Sequence, residues 1–310
     1  MNTATRLSAY GAALALLVAG GWATGTAVGP QVAAAPAAAH GDAHSGTVAE
    51  TPATGPTDQP AGLASSSGGY TLIPTDPTPT APTPAHPTFS FTVTGPDGTP
   101  VTAFDVEHDQ RMHLIVVRRD TTAFQHVHPT IAPDGTWTAT LGLSAPGSYR
   151  AFADFTPTGG AATTLGVDLA VAGEFTPVAH VPSRTAQVDG YTVELTGELV
   201  PGRASPVTVS VSRDGAPVTD LQPYLAAYGH LVALREGDLA YLHVHPDGEP
   251  GDGVTQAGPQ VGFVAEVPTA GTYRLFLDFR HGDVVRTAEF TVPTGTAAPA
   301  AAHGTDGHGH

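Results

Sequence analysis

Two copies of the tetrapeptide His-Val-His-Pro, beginning at His126 and at His243, are the strongest chemical signal in the sequence. Because successive side chains of a β-strand point to opposite faces, the two histidines of each copy should share a face while the valine points away. Their backbones would then stand roughly 6 to 7 Å apart, which lets both imidazoles reach one metal ion. His126 and His128 are therefore predicted as one ligand pair, and His243 and His245 as a second.

Further ligands must come from other segments, because two imidazoles do not complete a metal site. His113 and His230 each begin an apolar, strand-like run just before the tetrapeptide, where hairpin pairing would bring the rings together. Asp154 and Asp278 occupy matching positions further along the chain and are predicted as fourth ligands, or as acceptors that orient an imidazole. Three nitrogens and one carboxylate per copy suit copper(II) or zinc, and ligand type alone does not separate these two ions.

Structural roles for the same residues need no metal. Arg150 and Arg274 precede Asp154 and Asp278 by four residues on the same strand face, so a buried ion pair would also satisfy each carboxylate. A histidine on a strand is likewise often a hydrogen-bonded structural residue. Two otherwise different copies retain three histidines and one aspartate, which favours metal binding, although recent duplication would preserve them too. The histidines without a counterpart in the other copy are predicted as surface residues: His108, His180 and His281.

Composition narrows the chemistry further. The chain has no cysteine and only two methionines, which excludes disulfides, thiolate metal sites, a cysteine nucleophile and a blue-copper centre. Its net charge of -16 would repel nucleic acid and favours cations as partners. The sequence contains no nucleophile elbow, no phosphate-binding glycine loop and no helical His-Glu-x-x-His motif. A non-enzymatic role is therefore predicted.

An internal repeat positions the histidines. We assign the first copy to residues 86–173 and the second to residues 187–294. Short runs rich in Val, Thr, Phe and Tyr alternate with turn sequences such as Pro96-Asp97-Gly98, and no sustained helical period follows residue 30. These patterns predict an all-β fold class, with two tandem immunoglobulin-like or cupredoxin-like β-sandwiches of about seven antiparallel strands each.

Low-complexity segments flank the repeats. Residues 1–28 carry an apolar run after Arg6 and are predicted as a signal peptide or an uncleaved signal anchor in the cell membrane. Either interpretation places the rest of the chain on the extracytoplasmic face of the membrane or outside the cell. Residues 29–85, rich in Ala, Pro and Thr, are predicted as a disordered stalk, and residues 295–310 as a disordered tail containing histidine.

The repeated motifs resemble those of a group of actinobacterial exported proteins. They are Met112-His113-Leu114, Gln125-His126-Val127-His128-Pro129, Gly229-His230-Leu231-Val232 and Leu242-His243-Val244-His245-Pro246. Proteins of this group are mostly uncharacterised, and they are similar to small β-sandwich domains associated with copper handling in the bacterial envelope. The resemblance covers both repeats and implies binding of a metal ion, copper(II) first and zinc second.

These observations leave three functions to be tested. The first is an extracytoplasmic protein that buffers or delivers copper(II) or zinc without catalysis. The second is a copper enzyme similar to copper-zinc superoxide dismutase, which also carries a His-x-His pair on a β scaffold; this chain lacks that family's disulfide and an obvious histidine-rich zinc loop. The third is a structural or adhesive module whose histidines only form hydrogen bonds within the fold. Membrane contact is predicted only through the N-terminal segment.

Overall fold

The structure is a computed structural model that describes residues 60–75 and 87–295, apart from the side chain of His243. The described residues contain no helix, and therefore no helix long and apolar enough to cross a membrane. The predicted signal or anchor over residues 1–28 and the histidines of the predicted tail lie outside the described residues. The predicted all-β class is confirmed.

Eighteen strands make up the described secondary structure. They are β1 (Ser66–Ser67), β2 (Tyr70–Pro74), β3 (Thr88–Thr94), β4 (His113–Arg118), β5 (Gln125–Val127), β6 (Thr130–Ile131), β7 (Thr136–Thr140), β8 (Gly147–Phe155), β9 (Thr163–Val171), β10 (Thr185–Val188), β11 (Tyr191–Thr196), β12 (Ala204–Arg213), β13 (Ala216–Pro217), β14 (His230–Arg235), β15 (Tyr241–Pro246), β16 (Gln260–Glu266), β17 (Thr272–His281) and β18 (Val284–Pro293).

Each copy of the repeat is an antiparallel β-sandwich. In the first copy, a sheet in the order β1-β2-β3-β7-β6 faces a sheet in the order β5-β4-β8-β9 across one apolar core. In the second copy, the strands run in the order β10-β11-β12-β16-β15-β14-β17-β18, with β13 paired to β12. Buried side chains from both ends of this long sheet meet in a second core. Two tandem immunoglobulin-like sandwiches are therefore present, as predicted.

Strand register is the same at corresponding positions of the two copies. The shared cross-strand partners are His113 with Asp154 and Ile115 with His126 in the first copy, and His230 with Asp278 and Val232 with His243 in the second. Equivalent histidines and aspartates therefore occupy equivalent positions in the sheets of the two copies.

The stalk predicted over residues 29–85 is wrong for residues 60–75. β1 and β2 lie in this segment, and β2 pairs with β3 as part of the first sandwich. Leu72 of β2 is buried in the first core, and the ring of Tyr70 packs edge-on against Phe155 at 6.3 Å between centroids. An alternating pattern predicts this strand over Tyr70-Thr71-Leu72-Ile73. The composition of the whole segment, which is dominated by Ala, Pro and Thr, does not show it.

A third apolar cluster joins the two copies. Its members are Ile115, Val117 and Phe152 from the first copy and Val232, Leu234, Leu239, Tyr241 and Phe276 from the second. β4 and β14 are buried on both faces, because alternate side chains of each strand enter its own core and this shared cluster. Burial on both faces explains why their sequences are continuously apolar rather than alternating.

The shared cluster has approximate two-fold symmetry. Phe124 of the first copy stacks on Phe276 of the second, with ring centroids 4.0 Å apart and the planes inclined by 5°. In the opposite direction, Tyr241 of the second copy packs on Phe152 of the first at 5.4 Å. Phe124 and Tyr241 stand two residues before the equivalent histidines, so the same contact is made twice, once from each side.

Replacing Val117 with alanine tests whether this interface stabilises the fold. Val117 is fully buried between the copies, so Val117→Ala should lower the free energy of unfolding by about 2 to 3 kcal/mol through lost apolar burial and a residual cavity. The matched control, Val181→Ala, changes a valine that is 80% exposed and should alter stability by less than about 0.5 kcal/mol. Equal effects in urea denaturation would show that the copies do not pack together in solution.

Candidate metal centre

Three of the predicted ligands meet at one end of the first sandwich. One ring nitrogen from each of His113, His126 and His128 lies within 4.8 Å of the other two. Nδ1 of His113 and Nε2 of His126 are 3.0 Å apart, and the ring of His128 is centred 5.2 Å from His113 and 4.9 Å from His126. Two nitrogens that share a tetrahedral ion at about 2.0 Å stand about 3.3 Å apart, so this spacing suits a common ion.

The local backbone explains how these rings come together. His113 is the first residue of β4, and His126 lies in β5 opposite Ile115, so hairpin pairing places both rings near the same strand end. His128 follows β5, where the chain crosses from one sheet to the other. The next strand, β6, pairs with β7 in that second sheet. Pro129 occupies this crossing and cannot donate a ladder hydrogen bond.

The outer nitrogens of two rings contact groups that only accept hydrogen bonds. Nε2 of His113 lies 3.2 Å from the carbonyl oxygen of Glu107, and Nδ1 of His126 lies 2.8 Å from a carboxylate oxygen of Asp278. Both outer nitrogens must therefore carry the hydrogen. If both rings are neutral, the inner nitrogens, Nδ1 of His113 and Nε2 of His126, carry lone pairs and lie 3.0 Å apart.

His128 supplies the third nitrogen. Its Nε2 is buried and finds no hydrogen-bond partner among the described residues. Burial lowers the pKa of His128 to about 3, and the adjacent His126 and His113 rings act in the same direction. The ring is therefore neutral at physiological pH, and a neutral imidazole is the form that binds metal ions.

The second copy takes part directly in this cluster. Asp278, which holds His126, is itself held by Thr287, whose hydroxyl donates to the other carboxylate oxygen at 2.6 Å. The buried ring of His230 lies nearly parallel to that of His113, with centroids 5.7 Å apart, and is also centred 5.7 Å from His126. Residues of both copies therefore meet at this cluster, and the aspartate beside His126 comes from the second copy.

The remaining predicted residues lie around this cluster. Asp154 accepts hydrogen bonds from the hydroxyls of Thr164 at 2.8 Å and of Tyr241 at 3.2 Å. His245 is exposed and lines a cavity together with His113 and Asp154. His243 lies in β15, and its side chain is outside the described part of the structure.

The alternative in which the strand arginines pair with these aspartates is not what the structure shows. Arg150 pairs with Asp168 at 3.1 Å, and Arg274 pairs with Glu289 at 2.6 Å. The partner strands β9 and β18 supply these acids, which the spacing within β8 and β17 could not reveal. Asp278 is thereby left to bind His126 and Thr287.

His108 was predicted as a surface residue, but it is half-buried and belongs to this cluster. It sits in a turn with φ of 48°, and its ring is centred 4.9 Å from His230 and 6.2 Å from His113. No spacing in the sequence indicates this contact, because His108 reaches the second copy across the interface. His180 and His281 are also half-buried, and each forms hydrogen bonds away from the cluster.

Fold and site together define a tandem β-sandwich protein with an imidazole cluster between its two copies. A family model described as "Domain of unknown function (DUF8832)" matches residues 66–173 and 186–296. The chain therefore belongs to this family and carries its domain twice. Among curated proteins, none matches the chain.

Several solved structures are similar in part. The adhesin InvE of Yersinia pseudotuberculosis is 13% identical with a TM-score of 0.21, and the match covers 72% of this chain and 58% of that chain. A putative membrane anchored protein from Corynebacterium diphtheriae is 12% identical with a TM-score of 0.22, and the match covers 76% of this chain and 60% of that chain. A two fibronectin type-III domain segment from chicken tenascin is 15% identical with a TM-score of 0.20, and the match covers 72% of this chain and 97% of that chain. The chain thus spans less than two thirds of each of the two bacterial proteins.

The ring tautomers can be measured directly. In metal-free protein at alkaline pH, long-range ¹H–¹⁵N NMR should find the hydrogen on Nδ1 of His126 and on Nε2 of His113, because carboxylate and carbonyl oxygens accept from those nitrogens. Asp278→Asn removes the carboxylate and should reduce the population of the Nδ1–H form of His126. Asp220→Asn is the matched control, since Asp220 contacts His281 at 3.0 Å away from the cluster. A hydrogen on Nε2 of His126 in the unaltered protein would contradict the assignment.

Proposed function

We propose that this protein binds a divalent metal ion through His113, His126 and His128, and that it buffers or delivers the ion at the cell envelope without catalysing a reaction. Copper(II) is the ion proposed first, with zinc as the alternative. The observation that carries the proposal is the convergence of three imidazoles: one ring nitrogen from each of His113, His126 and His128 lies within 4.8 Å of the other two.

Facing lone pairs repel each other unless a cation lies between them. A proton shared by the two rings would satisfy the pair, and so would a metal ion that accepts both lone pairs. His128 favours the metal ion, because one of its ring nitrogens belongs to the same group and its buried Nε2 has no hydrogen-bond partner among the described residues. A single proton cannot serve three convergent lone pairs, whereas a metal ion can.

The donor set also supports the choice of ion. Imidazole suits copper(II) and zinc, and the absence of cysteine removes the thiolates that favour copper(I) and iron-sulfur clusters. Among divalent first-row ions, copper(II) binds most strongly to nitrogen ligands of this kind. A bound ion would keep the three rings together, while Asp278 and Thr287 hold His126 in the tautomer that presents Nε2.

The proposed location outside the cytoplasm rests on the apolar N-terminal segment of the sequence, residues 1–28. The net charge of -16 would draw cations toward the protein from solution. A membrane-attached form and a secreted form are both compatible with a buffering or delivery role, and they differ only in whether that segment is removed.

Copper(II) titration of the full chain tests the proposal. The parent for these experiments should carry asparagine at the histidines outside the described residues: His40, His44, His86, His303, His308 and His310. We expect saturable binding with nitrogen hyperfine structure in the electron paramagnetic resonance spectrum. His128→Ala should weaken the tightest binding by about 100-fold or more, since loss of even an orienting group commonly costs 10- to 100-fold.

His180→Ala is the matched control, because Nε2 of His180 donates to the carbonyl oxygen of Asp120, away from the cluster. Its binding curve should match that of the parent. If His128→Ala remains folded by circular dichroism and binds copper(II) and zinc as the parent does, the metal proposal fails. The structural alternative, in which the rings only form hydrogen bonds, would then stand.

A further inference from the structure

The two-fold relation between the copies extends to the chemistry around the aspartates. Asp278 accepts a hydroxyl from Thr287 on one oxygen and reaches β5 of the first copy with the other. Asp154 accepts a hydroxyl from Thr164 on one oxygen, at 2.8 Å, and its other oxygen reaches β15 of the second copy. Each carboxylate therefore serves the His-x-His strand of the opposite copy.

The second copy holds counterparts of the histidines that form the first site. His230 is the counterpart of His113 and is buried, with its ring 4.9 Å from that of His108. His245, the counterpart of His128, lines a cavity whose wall also contains His108, His113 and Asp154. His243 holds the register position of His126, opposite Val232 in β14.

We propose a second divalent metal site beside this cavity, so that the two copies together form a two-ion centre. His230 and His245, the counterparts of His113 and His128, are its imidazole ligands, and Asp154 is the carboxylate that orients or completes the set. The inference rests on the proposed function, because it assigns the same class of ion, copper(II) or zinc, to both sites.

The two sites differ in their access to solvent. His128 places its Nε2 in the interior, whereas His245 is exposed and the cavity beside it is lined by Asp105 and Glu107 as well. The carboxylates that line this cavity outnumber the guanidinium of Arg111 and attract a hydrated cation, and an exposed ligand lets water compete for it. The second site is therefore the weaker and more rapidly exchanging of the two, and it is the one that receives ions from solution.

Copper(II) titration separates the two sites. The parent described above should bind two equivalents, with the second weaker than the first. His245→Ala should lose the weaker equivalent and keep the tighter one, while its counterpart His128→Ala should lose the tighter one and keep the weaker. Asp154→Asn, which preserves the size of the side chain, should weaken the second equivalent by about 10-fold or more and serves if His245→Ala fails to fold.

Magnetic coupling gives an independent readout. Because the rings of His113 and His230 are centred only 5.7 Å apart, two bound copper(II) ions should broaden each other's paramagnetic resonance signals. The broadening should vanish in His245→Ala and in His128→Ala.

The outcomes distinguish the two proposals. A parent that binds one equivalent, with His245→Ala and Asp154→Asn unchanged, overturns the second site and leaves the proposed function standing. Two equivalents that both survive in His245→Ala and Asp154→Asn also overturn it, because the second ion would then lie elsewhere. If His128→Ala loses nothing, the proposed function itself fails.

Discussion

Face-to-face packing of β4 against β14 is the constraint on which the rest of the structure depends. Both strands are buried on two sides, and the shared cluster of apolar residues holds the first copy against the second. Hydrophobic burial of this kind has no direction of its own, so the stacked rings of Phe124 and Phe276 set the alignment. His113 and His230, at the starts of these two strands, are brought to 5.7 Å by that packing.

The polar cluster follows from the apolar one. Once the copies are aligned, a carboxylate from the second reaches a ring of the first, and a hydroxyl behind the carboxylate fixes its position. Buried polar groups are normally satisfied by partners of opposite character, and most of this cluster obeys the rule. At its centre the ring nitrogens of His113 and His126 lie 3.0 Å apart, and the proposed metal ion would bind to both of them.

Sequence patterns predicted the β-strands and the two sandwiches better than they predicted how the sandwiches pack together. The alternation within His-Val-His brought His126 and His128 to one cluster, and the two equivalent copies gave the sandwiches. Which aspartate serves which histidine depends on packing between domains, and no spacing along the chain records it. The place of His108 in the cluster was not predicted for the same reason. The continuous apolar run of β4 was the available sign, because a strand that is apolar on both faces needs a second covering surface.

The exchange of carboxylates between the copies has a consequence for inheritance. Asp278 is encoded in the second domain but holds a ring of the first, so neither domain carries its complete chemistry when it is copied or transferred alone. Each half keeps an apolar core of its own, but the orientation of the His126 ring depends on both halves.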